Sequence, residues 1–138
     1  MLVTLKLKKG VNEPVKHGDW IDLYTAETVT LKAGEYREID LGIVMQIPPN
    51  CHVMILPRSS TFKRYGILMA NSAGIIDHEF CGDDDYICFP AYATKDITIE
   101  KNTRIAQFRV FLNQLPVSFY FKDKLNTVNR GGLGSTGK

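Results

Sequence analysis

The sequence predicts an all-β domain, a jelly-roll or distorted β-barrel. Three observations carry that prediction. Short apolar runs of β type recur along most of the chain, Gly and Pro turn signals part them about every 8–12 residues, and no helical periodicity outlasts about two turns. A chain of 138 residues is one domain, long enough to bury about two-thirds of its extended surface without staples.

Taken in order, Leu2–Lys8 alternates apolar and polar side chains as a half-buried strand does. Trp20–Leu23 is a short apolar patch with Asp22 in its middle. Thr28–Leu31 and Glu35–Ile39 read as strands around Lys32-Ala33-Gly34, a hairpin turn. Leu41–Ile47 continues with Gly42 as a bulge, and Pro48-Pro49-Asn50 stops it. His52–Leu56 is a buried run ended by Pro57, and Arg58–Tyr65 has room for a short helix at most. Ile97–Ile99, Ile105–Phe111 and Val117–Phe121 supply further strands. Residues 1–125 are therefore expected to form the body. Asn126–Lys138 holds four glycines and only Val128 and Leu133 as larger apolar residues. Residues 126–138 are expected to be a flexible tail when free.

Bulk properties exclude several classes. Seventeen basic and fifteen acidic residues give a net charge of +2, too near neutrality to argue for nucleic acid or a membrane surface. Cys51, Cys81 and Cys88 are odd in number, and no CxxC or Cys/His pairing supports zinc. They read as reduced thiols of a cytoplasmic protein. A signal peptide would need a continuous apolar run at the N-terminus, and a membrane span about 20 apolar residues. Neither pattern is found, so a soluble intracellular domain is expected.

The chemistry centres on Asn71–Tyr92. Two apolar runs, Gly74–Ile76 and Tyr86–Phe89, flank Asp77–Asp85, which has one Gly and five acidic side chains. The pattern reads as a β-hairpin with a wide, charged mouth. Asp77 follows directly on two β-branched residues, so it sits where an apolar strand emerges. A carboxylate at the edge of a core is a candidate general base; an acidic surface turn is the plainer reading of the same residues.

Three more polar clusters interrupt the strand pattern. Arg58, Ser59 and Ser60 follow a buried strand and offer a guanidinium fork and hydroxyls to an anion, or a capped turn with a serine as N-cap. Gln107, in Arg104–Phe108, is either a satisfied buried amide or a ligand contact. Arg130 in the glycine-rich tail suits phosphate oxygens, as do its Ser and Thr hydroxyls.

The order of these clusters is more specific than any one of them. Asp22, then PRSS, then NSAGIID with an aromatic residue and GD, then RIAQF, then RGGLGSTG resembles the five ordered motifs of the trimeric dUTP pyrophosphatase (dUTPase) family, from Asp19 to Gly137. The details PRSSTFK, GDDD and the short tail are similar to the form found in Gram-positive bacteria and their phages.

The resemblance implies hydrolysis of dUTP to dUMP and pyrophosphate, by attack of an activated water on the α-phosphorus. It implies Asp77 as the activating base, and Asp22 as the residue holding Mg²⁺ through water. Arg58, Ser59, Ser60 and Gln107 match phosphate contacts. Arg130, Gly134, Ser135 and Thr136 match the tail that folds over the triphosphate. Uracil selection falls to Asn71 and to backbone groups of Gly74, Ile75 and Ile76 on one side and about Asp84–Tyr86, including Asp85, on the other. Phe80 stands where the family usually has a Tyr against deoxyribose. Leu133 stands where the tail usually offers a Phe to stack on uracil, so Tyr86, Phe89 or Tyr92 is expected to cover the base instead. The resemblance further implies a homotrimer with active sites shared between subunits. Two rivals share the fold. A dCTP deaminase needs a Glu on the strand after the hairpin turn, where Tyr86–Ala93 holds no carboxylate. A regulator that binds a protein partner has no need to keep both Asp22 and Asp77.

Overall fold

The computed structural model describes residues 1–134 and 137; Ser135, Thr136 and Lys138 lie outside the described residues. In chain order the strands are β1 (Thr4–Leu7), β2 (Val15–His17), β3 (Trp20–Tyr24), β4 (Val29–Leu31), β5 (Tyr36–Asp40), β6 (Ile43–Gln46) and β7 (Cys51–Pro57). A short helix, α1 (Thr61–Tyr65), precedes β8 (Ile67–Met69), β9 (Gly74–Asp77), β10 (Cys88–Ala93), β11 (Ile97–Ile99) and β12 (Arg104–Leu112). The strands form a five-stranded sheet, β2-β3-β12-β7-β9, a three-stranded sheet, β5-β10-β8, and the pairs β1-β6 and β11-β4. Every pairing is antiparallel.

Alternation drives this arrangement. Cys51, Val53 and Ile55 of β7 are buried, and so are Phe89, Ala91 and Ala93 of β10. With Leu23, Ile39, Ile43, Ile105 and Phe108 they form one apolar cluster that joins the two larger sheets. Gly66 ends α1 in the left-handed conformation, its N–H bonded to the Phe62 carbonyl at 2.8 Å, which turns the chain directly into β8.

Several expectations need correcting. Gly74–Ile76 and the run after Tyr86 do not form a hairpin. β9 pairs with β7, whereas β10 pairs with β5 and β8. The second arm is drawn away because Ile87 donates to the Ile43 carbonyl at 2.9 Å and accepts from Leu41 at 3.0 Å. A connection this long is outside the reach of tight hairpin turns, so register is set by the neighbouring strands instead. Lys32-Ala33-Gly34 is a turn, with Glu35 N–H on the Lys32 carbonyl at 3.0 Å. Its flanking strands β4 and β5 pair elsewhere, so it is not a hairpin either. Val117–Phe121 is not a strand: Val117, Phe119 and Phe121 are 56 %, 80 % and 89 % exposed. Regular structure ends at Leu112 among the described residues. No helix among them is long and apolar enough to cross a membrane.

Gly42 is a left-handed link between β5 and β6, at φ +64°, rather than a bulge inside one strand. A Cβ there would stand 2.8 Å from Val11 Cγ2 and 3.0 Å from Ala26 Cβ. Gly42→Ala is accordingly expected to cost about 1–3 kcal/mol from backbone strain and crowding. Urea denaturation checks this; an unchanged midpoint would contradict the assignment.

Candidate functional site

Asp22 is polar yet 2 % exposed, because β3 carries it into the sheet between β2 and β12. A buried carboxylate needs partners, and two arginines supply them. Arg58 Nε lies 3.0 Å from Asp22 Oδ1, and Arg104 Nη1 lies 3.2 Å from Oδ2. Arg58 Nη1 also donates to the Arg104 carbonyl at 3.3 Å. The pairing of β12 with β3 slips between Arg104 and Ala106, a β-bulge next to this cluster. Arg104 was part of the RIAQF run but was not singled out as a site residue. Only the position of Asp22 inside an apolar strand hinted at a cationic partner.

The turn after β7 is fastened by Thr61. Its hydroxyl accepts from Arg58 N–H at 2.9 Å and donates to the Ile105 carbonyl at 2.7 Å. Ser60 occupies the N-cap position of α1 without a capping side-chain bond. The capped-turn reading therefore falls on Thr61 rather than on a serine. Gln107 pairs across the sheet with Asp22 on one side and Leu56 on the other, and Nε2 donates to the Pro57 carbonyl at 3.1 Å. Asp22, Arg58, Ser59, Ser60 and Gln107 thus gather at one end of the five-stranded sheet. This end can grip a polyanion, since two guanidiniums face one carboxylate.

The second centre lies where β9 and β10 part. A cleft of about 320 Å³ is lined by Glu38, Ile55, Asn71, Gly74, Ile75, Ile76, Phe80, Tyr86, Ile87, Cys88 and Pro90. That size suits a small planar ligand. Six of the expected substrate residues, Asn71, Gly74, Ile75, Ile76, Phe80 and Tyr86, meet here. Glu38 arrives from β5, which no site motif marks, and Ile87 lies in the Tyr86–Phe89 run but was not singled out as a site residue. Asp77 follows Ile76 and is exposed. Its Oδ1 accepts from the N–H groups of Glu79 at 3.0 Å and Phe80 at 3.2 Å. Oδ2 has no partner among the described residues, so one carboxylate oxygen is fixed and the other open.

Of the three aromatic candidates, Phe89 is fully buried in the core and Tyr92 is exposed outside the cleft; Tyr86 alone lines it. The Asp85 carboxylate accepts from Gly82 N–H at 2.7 Å and shapes the loop rather than the cleft wall. Arg130, Leu133 and Gly134 are exposed and are not brought to either centre. Ser135 and Thr136 are outside the described residues.

Asp22 fits an outer contact to a hard cation but not a direct bond. Each Asp22 oxygen already faces a guanidinium, and a cation bonded directly there would sit against those two positive charges. Among the described residues, no group of three or more His, Cys, Asp or Glu side chains is placed to hold a metal.

Comparison with known proteins gives a consistent picture. The dUTPase family model matches residues 20–137. The SPbeta prophage-derived deoxyuridine 5'-triphosphate nucleotidohydrolase of Bacillus subtilis is 43 % identical over 123 residues, covering 89 % of this chain and 87 % of its own. The dUTPase of Staphylococcus bacteriophage 80alpha, solved with dUPNHPP, superposes with a TM-score of 0.83 at 20 % identity, covering 99 % of each chain. The dUTPase of phage phi11 of S. aureus, in which coordination of a structural Mg(II) ion is described, has a TM-score of 0.76 at 14 % identity, covering 92 % of this chain and all of its own.

Two expectations come from the geometry. Asp22→Ala leaves two guanidiniums facing a void; because Arg104 is partly exposed, the loss belongs at the low end of about 3–5 kcal/mol. Denaturant titration checks it, and wild-type stability would contradict the clamp. Burial, and then Asp40 and Glu38, push the Cys88 thiol up from its ordinary value. The reactive thiolate therefore appears only at higher pH than for a free thiol. Alkylation of Cys88, followed by mass spectrometry, should be slow at neutral pH, rise with pH and be retarded by a nucleotide in the cleft. Fast labelling at neutral pH would contradict the burial.

Proposed function

The chain belongs to the dUTPase family, and from that premise we propose that it hydrolyses dUTP to dUMP and pyrophosphate. The observation that carries this reading is the cleft between β9 and β10, with Asp77 at the end of β9 beside it. Uracil enters between the backbone of Gly74–Ile76 and the Tyr86 arm, with Asn71 as the side-chain contact. Donors and acceptors fixed in backbone reject cytosine, whose amino group leaves a buried pair unsatisfied. Phe80 packs on deoxyribose, and Tyr86 covers the base that Leu133 of the tail does not stack on.

Asp77 holds Oδ1 on two N–H groups and presents Oδ2 to a water. As that water forms its bond to the α-phosphorus, its proton passes to Oδ2 and the bond to the pyrophosphate oxygen breaks. Arg58, Ser59, Ser60 and Gln107 orient the triphosphate and stabilise the charge that develops on it. Arg130, Gly134, Ser135 and Thr136, in the segment 126–138, close over it as a lid and exclude water. Asp22 would hold Mg²⁺ through water, and the ion would supply neutralisation of the phosphate charge.

The same geometry supports shared sites in a homotrimer. Asp77 pairs with His52 near one end of β7, and Arg58 follows its other end. That separates them by about 20 Å of extended strand. One substrate therefore takes its nucleoside cleft and Asp77 from one copy and its phosphate contacts from another. Leu115, Val117, Phe119, Tyr120 and Phe121, exposed on the single chain, supply apolar surface for such association.

Hydrolysis in ¹⁸O-water tests the chemistry. Label in dUMP is expected, because water attacks the α-phosphorus; label in pyrophosphate would place the attack elsewhere. Asp77→Asn should bind dUTP nearly as wild type while turnover falls by about 10²–10⁴-fold. Retained turnover would remove Asp77 as the base.

A further inference from the structure

The wall of the cleft that contains Tyr86 has few anchors of its own. From His78 to Tyr86 the backbone bonds are local: Phe80 to Asp77, Cys81 to Glu79, Asp85 to Gly82 and Tyr86 to Asp84. The side-chain bonds of Asp77 and Asp85 are local too. Among the described residues the one distant polar tether comes from β1, which pairs only with β6 at the edge of the fold. Lys6 Nζ donates to the Asp83 carbonyl at 2.6 Å and lies 3.6 Å from its carboxylate. Lys8 Nζ stands 4.3 Å from the centroid of the Tyr86 ring, and Lys6 Nζ stands 5.7 Å from it. Both are within cation–π range. Lys8 is in turn fixed by an ion pair to Asp40, whose other oxygen accepts from Gly42 N–H at 2.6 Å.

We propose that Lys6 and Lys8 are positioning residues that hold Tyr86 against the nucleoside cleft and so set how tightly the site grips its nucleotide. Exposed lysine contacts taken singly contribute little. Here several converge on one ring and one loop whose other bonds among the described residues are local until Ile87 joins Ile43 and Leu41, so their sum biases where the ring stands. The bond to Asp40 also raises the pKa of Lys8, which keeps its charge at any working pH. The lysines touch no reacting atom. They act through Tyr86, and their effect on nucleotide rests on the dUTP reading of the cleft.

The test uses the full chain with Lys8→Met and with Lys6→Met/Lys8→Met, which keep an unbranched stem and remove the charge. Hydrogen exchange is first read without nucleotide. The amides of Cys81–Tyr86 should exchange several-fold faster in the double variant, with β7 and β12 unchanged; an unchanged loop overturns the clamp. Steady-state kinetics on dUTP follow. KM should rise about threefold to tenfold with kcat changed less than about twofold, and Lys8→Arg should restore KM. In a Tyr86→Leu background the lysine substitutions should add nothing; an equal added loss there would show that they act by another route. If wild type fails to hydrolyse dUTP, the functional reading falls, and the exchange experiment still decides the clamp.

Discussion

The fold depends on how it keeps one carboxylate, Asp22, in its interior. A buried ion without partners costs several kcal/mol, so the sequence surrounds Asp22 with guanidiniums from two distant segments, Arg58 after β7 and Arg104 at the start of β12. That requirement ties β3, β7 and β12 together at one end. It presents two cations to whatever anion arrives, with their stems already held. The rotamer freedom that a phosphate site would otherwise have to freeze is removed before substrate binds. Thr61 completes the arrangement by pinning the turn that carries Arg58.

The other half of the site comes from a separation rather than a contact. β9 stays with the five-stranded sheet and β10 leaves for the three-stranded one, so the walls between them diverge into a cleft. Ile87 is the wedge: its bonds to Ile43 and Leu41 pull the second wall away. Within one chain Asp77 pairs with His52 near one end of β7, whereas Arg58 follows the other end. The sharing of sites between copies proposed above would give the exposed apolar run around Phe119–Phe121 a use.

Much of this was legible in the sequence where local pattern and burial agree. His52–Leu56 and Ile105–Phe111 alternate clearly and lie within β7 and β12. The residues of GIID became β9. Legibility failed where partners are distant. β2 and β8 do not alternate apolar and polar residues as the equally short β4 and β11 do: Val15-Lys16-His17 is exposed throughout, and Ile67-Leu68-Met69 has no polar residue. Val117–Phe121 has the alternation of a strand and no strand beside it. The supposed hairpin had the right residues on both arms, but alternation says which face is buried and not which neighbour is paired. Around the cleft, Asn71, Gly74–Ile76, Phe80 and Tyr86 come from the central stretch, whereas Glu38 reaches it from β5, which no local pattern marks. Phe89 illustrates the converse: an aromatic near the motif is not at the site, because its strand turns it fully into the core.

The account is tested most directly by pyrophosphate release from the purified protein with Mg²⁺, comparing dUTP, dCTP, dTTP and UTP while ammonia is recorded. A cleft walled by fixed backbone and closed by Phe80 and Tyr86 predicts release from dUTP alone, without ammonia. Ammonia from dCTP, or equal release from all four nucleotides, would contradict it.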